Sequence, residues 1–109
     1  MAIRKLCPPK MRGDVEIRPI LQPEEMFGKN NMYARVRMPR GSEIGWHVHT
    51  GEIEVYYVLS GTGEYTDSDG TKSLVSSGDV CTMTLGGGHA MRQIGEMPLE
   101  FMALIMKTE

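Results

Sequence analysis

From Met32 onward the chain is a series of short apolar runs, each closed by a turn signal, and none has the period of a helix. Met32, Ala34, Val36 and Met38 alternate with Tyr33, Arg35 and Arg37. Successive side chains of a strand point to opposite faces, so this is a strand with one buried side. Turns follow at Pro39-Arg40-Gly41-Ser42, Ser60-Gly61-Thr62-Gly63, Asp67-Ser68-Asp69-Gly70, Ser76-Ser77-Gly78-Asp79 and Leu85-Gly86-Gly87-Gly88. Between them lie Trp46 to Leu59, Glu64 to Thr66, Lys72 to Val75, Val80 to Thr84 and His89 to Ile94, and Leu99 to Met106 closes the chain. The Asp69-Gly70 pair favours a hairpin. Short strands with regular turns predict an all-β sandwich or barrel, and the 13 glycines fit that class. Only Pro23 to Gly28 reads as helix, as one turn with Pro at its start, acids in it and Gly at its end. Residues 1–30 carry Pro8, Pro9, Pro19 and Pro23 and keep no period. They are expected to form an extended N-terminal arm along the barrel or a partner subunit, with residues 31–109 as the barrel domain.

At 109 residues there is room for one core. The net charge of −2 and the lack of a Lys/Arg cluster point away from nucleic acid and anionic membranes. No run approaches the ~18 apolar residues of a membrane span, and the first residues lack a signal-peptide core. A cytoplasmic location is expected, with Cys7 and Cys81 as free thiols. Asp67 to Gly70 resembles the start of a calcium loop but lacks the later Glu, and the triple glycine lacks the lysine of a phosphate loop. Two strands are apolar on both faces. Leu99, Phe101, Ala103 and Ile105 back onto Met102, Leu104 and Met106, and Ile53, Val55, Tyr57 and Leu59 lie behind Glu54, Tyr56 and Val58. A barrel needs one apolar face per strand, so the outside is expected to be covered, by the arm or by a second copy packing sheet on sheet as a homodimer. The ten methionines either fill the core irregularly or line a cavity.

The run Trp46-His47-Val48-His49-Thr50-Gly51-Glu52-Ile53-Glu54-Val55-Tyr56-Tyr57-Val58 places an ionisable group in an apolar strand. A buried carboxylate is costly unless paired or metal-bound, and no Lys or Arg lies near it in sequence. His47 and His49, two residues apart on extended chain, point to one face. A metal ion shared by these imidazoles and Glu54 removes the cost, and His89, behind its glycine loop, can join them. Glu52 has the parity of Glu54 and is the alternative carboxylate. At the strand start it reads as solvated or as a partner orienting an imidazole.

In these residues the chain resembles the cupin superfamily. The first cupin motif runs Gly, five residues, His-x-His, three or four residues, Glu, six residues, Gly; Gly41, His47, His49, Glu54 and Gly61 meet every spacing. In the second motif, Gly78, Gly86 and His89 match, while Thr84 stands for the usual Pro and Gln93 for the usual Asn. The resemblance implies a small jelly-roll barrel (a double-stranded β-helix), often dimeric, holding one divalent metal through His47, His49, Glu54 and His89. Three imidazoles and a carboxylate suit Mn, Fe, Co, Ni or Zn and disfavour copper(I). On an octahedral ion this set leaves two positions open, as in non-haem iron oxygenases, for Lewis-acid or water activation. A closed tetrahedral zinc is the purely structural alternative.

Strand parity places Tyr56, Val58, Met91 and Gln93 inside the barrel with Met32, Ala34, Val36, Met38 and Phe101. The expected pocket is mostly apolar, with Met38, Tyr56, Val58, Met91, Gln93 and Phe101 on its wall. Tyr56 is the candidate catalytic residue, as general acid/base or as hydrogen-bond donor. Arg35 and Arg37 have the opposite parity, which argues against an arginine clamp for a dicarboxylate such as oxalate. Three readings follow. One is a metal-dependent enzyme on a small organic substrate, of dioxygenase, decarboxylase, lyase or isomerase type. The second is a non-catalytic small-molecule binding or sensor module. The third is a barrel with a structural metal.

Overall fold

The computed structural model describes residues 4–6, 11–84 and 86–108. Cys7 and Leu85 lie outside them. Among the described residues eleven strands are formed: β1 Arg4–Leu6, β2 Met11–Arg12, β3 Val15–Leu21, β4 Asn30–Met38, β5 Glu43–Val48, β6 Glu52–Ser60, β7 Thr62–Thr66, β8 Lys72–Val75, β9 Val80–Met83, β10 Gly88–Ile94 and β11 Leu99–Lys107. One sheet has the order β1-β3-β4-β11-β6-β9 and the other β2-β5-β10-β7-β8. From β4 on, the chain passes back and forth between the sheets, and every pairing is antiparallel. This is the jelly-roll architecture, a barrel flattened into two sheets around one core.

Strands such as β4, β6, β10 and β11 form where the alternation places them, because each buries one face. In β4, Ala34, Val36 and Met38 are buried while Arg35 is exposed. Central β11 lies between β4 and β6, with Ala103 opposite Ala34 on one side and Tyr56 on the other. Phe101, Met38, Met91, Val58 and Leu99 are fully buried and form the middle of the core. Burying each such side chain contributes on the order of 1.5–3 kcal/mol. The expected helical turn is a short 3-10 helix, Pro23–Met26, ended by Phe27 and Gly28 in left-handed conformations.

Strands β1, β2 and β3 of the N-terminal part are woven into both sheets. β3 pairs with β4, β2 pairs with β5, and Val15 is fully buried. Cys81 is a buried free thiol whose pKa burial pushes up to about 11.

One end of the barrel is pinned by a single side chain. The Gln93 carbonyl accepts from Gly41 N–H at 2.9 Å, and its amide donates to the carbonyls of Gly95 at 2.9 Å and Met97 at 2.7 Å. Gln93 is 5% exposed. It serves the turn between β10 and β11, where Gly61 meets Pro98 so closely that a Cβ at 61 would lie 2.2 Å from the Pro98 carbonyl. Gln93→Ala removes these part-buried hydrogen bonds, at a combined cost of about 1–3 kcal/mol. Urea unfolding is expected to show a loss of that size, with no change at the His89 end of the strand.

Candidate metal centre

Three strands and one glycine loop assemble the site at the other end of the barrel. β5 carries a bulge: His89 faces His47, but Met91 faces Ile44, so Gly45 and Trp46 together oppose Ala90. An extra residue re-aims the side chains that follow it. Ile44 and His47 therefore both face inward although they stand at i and i+3 on the strand. Gly88 lets β10 approach, because a Cβ there would lie 2.6 Å from the Trp46 ring and 2.9 Å from the His47 carbonyl. His49 N–H donates to the Gly87 carbonyl at 3.2 Å, which ties the loop to the end of β5. Glu54 enters from β6, opposite Met83 of β9 and Ile105 of β11.

His47, His49, Glu54 and His89 converge, with one ligand-type atom from each inside a 4.8 Å cluster. Glu54 Oε1 lies 2.8 Å from His89 Nε2 and 3.2 Å from His49 Nε2, and His89 Nε2 lies 3.0 Å from His47 Nε2. Each imidazole is held by its other nitrogen. His47 Nδ1 donates to the Gly45 carbonyl at 2.8 Å, His49 Nδ1 to Glu52 Oε1 at 2.5 Å, and His89 Nδ1 meets the Tyr65 hydroxyl at 3.0 Å. A carbonyl and a carboxylate only accept, so in the neutral form of each ring the Nε2 atoms of His47 and His49 carry the lone pair and face the centre. His49 Nε2 and Glu54 Oε1 are buried without hydrogen-bond partners. Imidazole nitrogens and a carboxylate gathered at about 3 Å are a donor set that could hold a divalent metal. Glu52 is the orienting carboxylate. Its other oxygen accepts from the Asn31 amide.

The electrostatics agree with that division. Burial pushes the His47 pKa down, which favours the neutral imidazole that a metal needs. Burial works against the Glu52 charge, but hydrogen bonds from His49 and Asn31 outweigh it and hold its carboxyl below the usual range. Burial, with the Glu54 charge next, pushes Tyr56 well above the usual phenol value, and burial does the same to Tyr65. Both remain hydroxyls at neutral pH. Tyr56 stacks on His89 at 5.0 Å between ring centroids and packs on Phe101 at 4.3 Å.

Beside the cluster lies a cavity of about 240 Å³. His47, His49, Glu54 and Tyr56 form its polar end, and Met11, Ile17, Met32, Val36, Ile44, Ala103 and Ile105 its apolar wall. Of the six residues expected on a pocket wall, Tyr56 is on it. Met38, Val58, Met91 and Phe101 are fully buried deeper in the core, and Gln93 serves the far turn. Parity assigns a face and says nothing of depth along the strand. Tyr65 was not anticipated; its inward parity on β7 was the available signal. Glu52→Ala is expected to weaken metal affinity by about 10–100-fold while one ion still binds, whereas Glu54→Ala abolishes stoichiometric binding. Titration of chelator-treated protein with cobalt(II) distinguishes the two.

Residues 34–105 match the family described as "Cupin domain". A Thermotoga maritima protein named "Oxalate-binding protein" is 39% identical over 95 residues, covering 87% of this chain and 78% of that one. An uncharacterized protein of Methanocaldococcus jannaschii is 33% identical over 86 residues, 79% of this chain and 68% of that one. The crystal structure of a Thermotoga maritima protein described as a predicted oxalate decarboxylase superposes with a TM-score of 0.91 at 35% identity, covering 96% of this chain and 91% of that one.

Proposed function

Because the chain belongs to the cupin family, we propose that it is a metal-dependent enzyme acting on a small organic acid, with one divalent transition metal (Mn, Fe, Co, Ni or Zn) held by His47, His49, Glu54 and His89. The observation that carries this reading is the cavity: three of the four ligand residues also line it. A closed structural zinc site has no use for such an opening. When bound, the ion supplies Lewis-acid polarisation of a substrate oxygen. The chain's own residues do the rest. Gly45, Glu52 and Tyr65 fix the imidazole orientations, and the apolar wall excludes water. Tyr56, protonated beside Glu54, is the proton donor or hydrogen-bond donor to the substrate. The Thermotoga relative named for oxalate binding supports a carboxylic acid as the substrate class.

A non-catalytic binding module is the second reading. It is favoured by one observation: both tyrosines near the centre are held protonated, and the cavity offers no carboxylate other than the ligand Glu54. Protein reconstituted separately with each of the five metals, given small carboxylic acids and monitored for O₂ uptake and CO₂ release, separates the two. Turnover is expected with at least one metal, and Tyr56→Phe is expected to lower kcat by on the order of a hundredfold at unchanged metal content. Ligand binding without turnover across all five metals favours the binding module.

The partner assigned to the outer sheet face is a second copy of the chain. Tyr33, Val55, Tyr57, Met102 and Leu104 form an apolar groove there, and Tyr57 is 46% exposed. These are the outward sides of the strands that are apolar on both faces. Contiguous exposed apolar surface marks an association site. Sedimentation at micromolar concentration is expected to give a dimer, and Leu104→Glu to give a monomer; wild type sedimenting as a single chain contradicts the assignment.

A further inference from the structure

The shape and chemistry of the cavity narrow the ligand beyond "small organic acid". Its polar groups are gathered at one end, in His47, His49, Glu54 and Tyr56. The remaining wall is hydrocarbon and thioether: Met11, Ile17, Met32, Val36, Ile44, Ala103 and Ile105. Among the described residues that line the cavity there is no Lys or Arg. The arginines of β3 and β4 face the other way: Arg18, Arg35 and Arg37 line a separate depression with Glu16 and Glu100, and Arg35 pairs with Glu100 at 3.0 Å.

Two consequences follow for an occupant. A second carboxylate placed away from the cluster would be buried against apolar side chains with no Lys or Arg among the described lining residues to meet it, which is costly. The volume, about 240 Å³, equals roughly eight waters at ~30 Å³ each, more than two carboxyl groups joined back to back can fill. Apolar atoms in that remaining space gain about 0.8 kcal/mol per buried CH₂.

We infer that the cavity selects a monocarboxylic acid with an oxygen on the adjacent carbon and a short apolar tail, a 2-oxo or 2-hydroxy acid with an alkyl or thioether side chain, over a compact dianion such as oxalate. The head lies at the His47–His49–Glu54–His89 cluster and the tail along Val36, Ala103 and Ile105. This rests on the reading of that cluster as a metal site.

The test uses the full chain loaded with cobalt(II) and a series of straight-chain 2-oxo acids, beginning with glyoxylate and pyruvate and lengthening by one carbon, with oxalate alongside. Affinity is read by calorimetry and by the visible spectrum of the cobalt. Kd is expected to fall about fourfold per added CH₂ until the wall is filled, and the longest acids to bind more tightly than oxalate. Ala103→Leu, which occupies the tail space, is expected to flatten the series while cobalt content stays unchanged. If that variant does not fold, the wild-type series decides alone. A flat series with oxalate tightest, on protein that holds cobalt, overturns the inference and leaves the metal reading standing. Protein that takes up no cobalt overturns the metal reading and the inference with it.

Discussion

The structure depends on how one carboxylate is accommodated. Glu54 is 3% exposed on a strand of apolar neighbours, and its Oε1 has no hydrogen-bond donor. Among the described residues no lysine or arginine is paired with it; it faces the Nε2 atoms of His49 and His89. A buried charge is costly unless it is paired, and the two nearest groups are nitrogens that a metal would use. A divalent cation resolves the charge of Glu54 and the crowding of the imidazole lone pairs together.

Much of the surrounding architecture can be read as delivery to that point. The bulge at Gly45–Trp46 turns His47 inward and supplies the carbonyl that fixes its tautomer. The glycine at 88 permits the close strand approach that sets His89 opposite His47. Glu52, anchored by Asn31, and Tyr65, from the neighbouring strand, hold the other two rings. Partners of this kind raise ligand basicity and remove the rotational freedom that binding would otherwise have to restrict. The opposite end of the barrel, by contrast, is secured by Gln93 through ordinary amide hydrogen bonds.

The four converging residues were legible in the sequence because their chemistry is local. An i, i+2 pair of histidines shares a face of any strand, and an acid in an apolar run raises the question of its partner wherever it occurs. The jelly roll was legible for a similar reason, since short alternating runs and turns constrain the class, and the motif spacing carried the rest. The cavity wall was not. Met38, Val58, Met91 and Phe101 have the right parity but lie too far along their strands, while Ile44 lines the cavity only because a bulge shifts the phase between it and His47. Ile17 belongs to a stretch broken by Pro19, whose pairing with β4 depends on long-range register that no local period reports. Glu52 was readable as an imidazole's partner; Tyr65 needed the pairing of β7 with β10.

The most direct test of the account is the metal content of untagged wild-type protein purified without chelator, measured by plasma mass spectrometry beside a His47→Ala, His89→Ala double variant. The account predicts about one transition-metal ion per chain in the wild type and its loss in the variant. A folded wild-type protein that carries no metal and takes up none on reconstitution would contradict it, because Glu54 would then have to be buried without the cation that its surroundings require.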